Sequence, residues 1–176
     1  MPTLSGPAFY VFSGVAIAAA TLVVTSRNAV HALVYLVLAC LAIGALFFVL
    51  GAPFVAALEV IIYAGAIMVL FVFVVMMVNP AREPEPPGAQ SRRLGTAAGP
   101  VAIALVLVAA FARLLSHAPP ALLAGGVVPP KQVATALFGS YVLAVELASL
   151  LLLAGLVGAY HLGRRMLRRD REGGVS

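Results

Sequence analysis

The chain has 176 residues, of which 63% are hydrophobic and 10% charged, with a formal net charge of +5. A soluble domain carries roughly 45–50% apolar and about 25% charged residues, so this composition excludes a soluble globule and a disordered chain alike. The single cysteine, Cys40, excludes an internal disulfide framework and an iron–sulfur cluster held by this chain alone, which takes about four thiolates.

Five apolar stretches are long enough to cross a bilayer, which takes roughly 20 helical residues at about 1.5 Å each. They run over 8–25, 30–50, 54–78, 97–115 and 137–162 and predict an all-α integral membrane protein, a single polytopic domain over 1–176. The first stretch lacks the basic leader of a signal peptide, since no Lys or Arg precedes Arg27, and is read as a retained span. Arg27 and Asn28 separate the first two spans. Gly51-Ala52-Pro53 predicts a tight hairpin, with Pro53 opening the third helix where its missing N–H costs nothing. Two longer connections come next, a proline-rich loop over 79–96 and an outer loop over 116–136 containing Pro119-Pro120 and Pro129-Pro130.

Basic residues give the direction of insertion. Arg27, Arg82, Arg92, Arg93 and the tail over 163–176, with Arg164, Arg165, Arg168, Arg169 and Arg171, fall on one side of a five-span protein. The other side has Lys131, with Arg113 near the outer end of the fourth helix. The expectation is an N-terminus outside and a C-terminus in the cytoplasm. The positive charge is thereby a topology signal, and no basic soluble face exists for nucleic acid.

Ionisable groups inside the spans are few, and an acid at the bilayer centre costs about 2.5–3.5 kcal/mol on insertion scales. Glu59 lies about five residues, or roughly 7–8 Å, into the third span. Glu146 lies about nine residues, or roughly 13 Å, into a fifth span counted from Leu137, close to the midplane. Each carboxyl is a candidate proton relay or a structural group bonded to a partner helix. Tyr63 is too deep for an interfacial belt, so its hydroxyl needs a partner or a water. Gly65, between Ala64 and Ala66, serves either close helix packing or a deformable point where a π-bulge forms cheaply. On the fifth span Gly155, Ala159 and Gly163, at intervals of four, make a small-residue face for another helix. His31 and His161 sit at cytoplasmic helix ends, as polar caps or, in a rival reading, as haem ligands. No catalytic constellation, metal site, nucleotide fingerprint or internal repeat emerges from the residues.

The run Glu59-Val60-Ile61-Ile62-Tyr63-Ala64-Gly65-Ala66-Ile67-Met68-Val69-Leu70-Phe71-Val72-Phe73, continued by Met76-Met77, resembles the signature of the subunit J family of bacterial NADH:quinone oxidoreductase. This is respiratory complex I, and the mitochondrial counterpart is NADH dehydrogenase subunit 6. Leu137-Phe138-Gly139 and Glu146-Leu147-Ala148-Ser149, continuing to Gly155, resemble the end of that family. The resemblance implies a membrane-arm subunit of a proton translocase, with no redox centre in this chain. FMN, iron–sulfur clusters, NADH and quinone would belong to the complex as a whole. Implied partners are the A, K and H subunits and the antiporter-like subunits, within the lipid bilayer.

The resemblance also implies that the third helix switches between α and π-bulged forms. Tyr63, Ala64 and Gly65 would mark the bulge, and Met68 and Phe71 would be carried across a narrow dry stretch. Glu59, Tyr63 and Glu146 would be candidates along the proton path. Rival readings are the equivalent subunit of a multi-subunit cation/proton antiporter or membrane-bound hydrogenase, and a purely structural subunit that clamps neighbouring helices.

Overall fold

A computed structural model describes residues 5–26, 28–78, 89–116 and 127–172. Among these residues every regular element is helical, and no strand occurs. Five helices are long and apolar enough to cross a membrane: Pro7–Thr25, Ala29–Val49, Pro53–Val78, Ala98–Ser116 and Val142–Arg164. Arg27 and Arg82, with residues 79–88 and 117–126 of the two long connections, lie outside the described residues.

In chain order the elements are α1 (Ser5–Thr25), α2 (Ala29–Val49), α3 (Pro53–Leu58), the π-helical segment π1 (Glu59–Ile67), α4 (Met68–Val78), α5 (Ala89–Ser116), α6 (Pro130–Phe138) and α7 (Val142–Glu172). The third span is thus three pieces in one rod: α3, π1 and α4. The chain divides into two compact units, residues 1–128 and 129–176.

In the first unit α1, α2 and α5 enclose the core. Phe12 and Ala19 from α1, Leu38, Ala39, Ala42, Ala45 and Val49 from α2, and Leu107 and Leu114 from α5 form one buried cluster. The preponderance of alanine on α2 lets backbones approach closely, the usual way helices associate where no hydrophobic drive separates protein from lipid. Phe48 and Phe111 meet at 5.9 Å between ring centroids, tilted by 59°, and tie α2 to α5. Near the start of the fourth span, a side chain at Gly99 would run into the Tyr35 hydroxyl of α2. Any larger residue there would have to displace that hydroxyl.

Local chemistry sets the ends of α2. The Asn28 side chain accepts from the Val30 N–H at 3.0 Å and caps the first turn. At the other end Gly51 adopts φ 81°, a left-handed conformation that costs a glycine little. Its N–H donates to the Phe48 carbonyl at 3.1 Å, and the Ala52 N–H donates to Phe47 at 2.9 Å. This is a Schellman cap, and Pro53 comes at once after it as the first residue of α3. The Gly51 carbonyl in turn accepts from the Val128 N–H at 3.1 Å.

The second unit departs from the expected boundaries. Leu137 and Phe138 do not open the fifth span; they end α6, a separate helix that starts at Pro130 inside the expected outer loop. Pro129 and Pro130 act there as N-cap and first helical residue, not as loop breakers. Gly139, at φ −106° and ψ −95°, breaks the helical path, and a turn through Ser140 and Tyr141 precedes α7. The Tyr141 N–H closes that turn on the Ala136 carbonyl at 3.0 Å. Helix also extends where loop and tail were expected: α5 begins at Ala89, and α7 continues to Glu172.

Candidate functional site

The candidate site is the middle of the third span. Over Glu59–Ile67 the backbone is π-helical, with hydrogen bonds reaching back five residues in place of four. Its last bond shows the register: the Met68 N–H reaches the Tyr63 carbonyl. The sequence permits this because the segment has no proline to break the ladder, and because Gly65 relieves crowding. A Cβ at Gly65 would stand 3.2 Å from the Val60 carbonyl oxygen, closer than ordinary van der Waals contact. A β-branched side chain at 65 would add further bulk beside that wider turn.

Packing around the segment is uneven. None of the nine residues of π1 is buried. The buried residues of the third span are Ala56, before the segment, and Met68, immediately after it. Tyr63 is half exposed, as is Phe71, at 50% and 51% of their surfaces. Ala64 and Gly65 are intermediate. The segment therefore has no buried residue between two buried ones, although its first residues, Glu59 and Val60, lie against α2, and a π turn already lacks the close backbone fit of an α turn.

Glu59 is the first residue of π1 and is half-buried. Its neighbour across the helix pair is Gly44 of α2. A Cβ built on Gly44 would lie 3.3 Å from Val60 Cγ2, 3.6 Å from the Ala56 carbonyl oxygen and 3.8 Å from Glu59 Cγ. Gly44 is buried, so the third span is seated on α2 through a glycine. Beside this seat an apolar groove of about 750 Å³ opens between α2, the third span and α5, lined by Gly44, Ala56, Val60, Ile61, Leu107 and Phe111 among others. Sequence reasoning passed over Gly44. The available signal was a lone glycine inside a strongly apolar helix, which marks a close approach without naming the partner.

Among the expected site residues, Glu59, Tyr63, Ala64 and Gly65 share π1, with Met68 and Phe71 on the helix that continues it. Glu146 belongs to the second unit, on α7. With the span beginning at Val142, Glu146 falls in its first turns, roughly 6 Å from the helix start, and the count that put it near the midplane no longer applies. Its side chain is exposed within its unit, while its backbone carbonyl accepts from the Ser149 hydroxyl at 2.7 Å. A methyl group added at Gly155 or Gly163 would meet no atom within 4 Å, and Ala159 is exposed, so the small-residue face of α7 is open within its unit. His31 Nδ1 is buried with no hydrogen-bond partner among the described residues.

Comparison with known proteins gives a consistent family. The family model of NADH-ubiquinone/plastoquinone oxidoreductase chain 6 matches residues 19–162. NADH-quinone oxidoreductase subunit J of Pseudomonas aeruginosa is 51% identical over 159 residues, which cover 90% of this chain and 96% of that protein. The subunit J of Escherichia coli K12 is 46% identical over 157 residues, covering 89% of this chain and 85% of the relative. That of Buchnera aphidicola from Schizaphis graminum is 39% identical over 156 residues, covering 89% and 96%. The matched region takes in the whole π-helical span and four fifths or more of every chain compared, and this chain belongs to the NADH-ubiquinone/plastoquinone oxidoreductase chain 6 family.

Proposed function

We propose that this chain is a membrane-arm subunit of a bacterial NADH:quinone oxidoreductase, coupling quinone reduction to proton translocation while carrying no redox centre, with its third span as the conformational gate. The observation that carries the reading is the π-helical stretch Glu59–Ile67, unburied throughout and bounded by the buried Ala56 and Met68. A π turn holds more residues per turn than an α turn, so conversion between the two rotates everything beyond it about the helix axis. Met68 and Phe71 lie just beyond it. Their rotation admits or excludes water along the adjoining path. Transfer of one charge against 100 mV takes about 2.3 kcal/mol, so an open leak here would dissipate the gradient and a gate is required.

Glu59 and Tyr63, on the segment itself, supply a carboxyl and a hydroxyl able to hold a proton or a water. Glu146 is a further relay candidate on the fifth span. The chain sits in the inner membrane with its N-terminus outside and its C-terminus cytoplasmic, among the A, K, H and antiporter-like subunits. NADH, FMN, iron–sulfur clusters and quinone are handled by the other subunits.

Gly65→Val tests the gate in the intact complex. The valine keeps the helix apolar but sets a Cβ against the Val60 carbonyl. The expected result is an assembled complex whose proton pumping falls by more than half. Full pumping in that variant would overturn the gate.

A further inference from the structure

Resting on the gate reading, we propose that Gly44 of α2 is the positioning residue that holds the near half of the third span still, so that a register change turns only the far half, Met68–Val78. A change between π and α geometry twists the two ends of the span against each other. Which end moves is decided by which is held. The near end is held twice. The Schellman cap at Gly51 joins it to α2 through a turn of three residues, Leu50 to Ala52. Gly44 then seats it laterally, with Val60, Ala56 and Glu59 all within 4 Å of the place its Cβ would occupy. The seat spans the boundary where α3 passes into π1, at Leu58 and Glu59.

The far end is held less. Beyond Met68, which is 5% exposed, every residue from Val69 to Val78 except Val75 is exposed within the chain. The rotation therefore has one buried contact to break on its own helix, that of Met68. Gly44 has no side chain to hold a proton and acts through its contact with Val60 and the Ala56 carbonyl; its role is to assign the motion to one end.

The test uses the assembled complex. Cys40, the chain's sole cysteine, is replaced by serine, and single cysteines are placed at Ala57, before π1, or at Val72, after it. Both positions are exposed within the chain. Alkylation by N-ethylmaleimide is followed in this chain by peptide mass, at rest and during turnover with NADH and quinone. The rate at 72 is expected to change at least threefold, while the rate at 57 stays constant. Equal changes at both positions would overturn the positioning role. Constant rates at both, with each cysteine reactive at rest, would remove the gate itself. Gly44→Leu should then make the rate at 57 turnover-dependent and lower the protons pumped per electron at least twofold, with partial recovery on adding Val60→Ala. Unchanged values in Gly44→Leu would also overturn the role. Where that chain does not assemble, Gly44→Ala, whose methyl would meet Val60 Cγ2 at 3.3 Å, is read the same way.

Discussion

The second helix and the third span are comparably apolar, are joined by a three-residue turn, and lie side by side, yet the chain uses them in opposite ways. Eight residues of α2 are buried, from Leu33 to Val49, whereas the longer third span buries two. Apolar content qualifies a helix for the bilayer; it does not say whether lipid, another subunit or the chain itself will cover it. The difference lies in side-chain size. The buried face of α2 is largely Ala39, Ala42, Gly44 and Ala45, which lets α1, α5 and the third span close upon it. The third span carries large Val, Ile, Leu, Phe and Met side chains over most of its length, and apart from its seat on α2 most of them stay exposed within the chain.

Three substitutions probe that contrast. Phe12, fully buried against α2 and its neighbours, is the largest, and Phe12→Ala should lower the stability of the detergent-solubilised chain by about 3–5 kcal/mol, read from thermal unfolding. A loss under about 1 kcal/mol would mean that the α2 packing is not the stabilising half. Ala42→Leu, at a site with no exposed surface, should cost about 1–3 kcal/mol through overpacking in the same assay. Val69→Ala, on the exposed part of the third span, should stay within about 0.5 kcal/mol in the isolated chain. A much larger loss there would erase the distinction between the two helices.

The carboxyls allow a functional version of the same comparison. Glu59→Gln keeps the shape of the side chain against Gly44 and removes the proton site. A severalfold fall in pumping with unchanged assembly is expected, and normal pumping would leave Glu59 as a packing group. Glu146→Gln, read in parallel, separates a relay on the fifth span from a structural carboxyl.

The five spans were legible because apolar length is a one-dimensional property. Val142 was missed as the start of the fifth because Leu137 and Phe138 are apolar too, and only the backbone at Gly139 separates them from it. Pro129 and Pro130 look alike as loop breakers and as a helix start, and the choice between the two depends on the helix-forming run from Lys131 to Phe138. The π register of Glu59–Ile67 leaves no trace in hydrophobic periodicity, because a segment apolar on nearly every face offers no pattern for a shift to disturb. Gly65 is legible as a small residue that either packs closely or deforms, and only the resemblance to a family selects the hinge. Gly44 shows the opposite gap: its meaning lies in Val60 and Glu59 on a different helix, information no single segment contains.

The last helix offers a practical handle. From Val142 to Glu172 its 31 residues measure roughly 46 Å at about 1.5 Å each, against a hydrocarbon layer of about 30 Å. Some three turns therefore project past the lipid tails as an unbroken continuation of the rod. A paramagnetic or fluorescent reporter at Glu172 would register any tilt of the fifth span with the leverage of that overhang. A few degrees at the bilayer would become a displacement of ångströms at the tip, measurable without touching a residue inside the membrane.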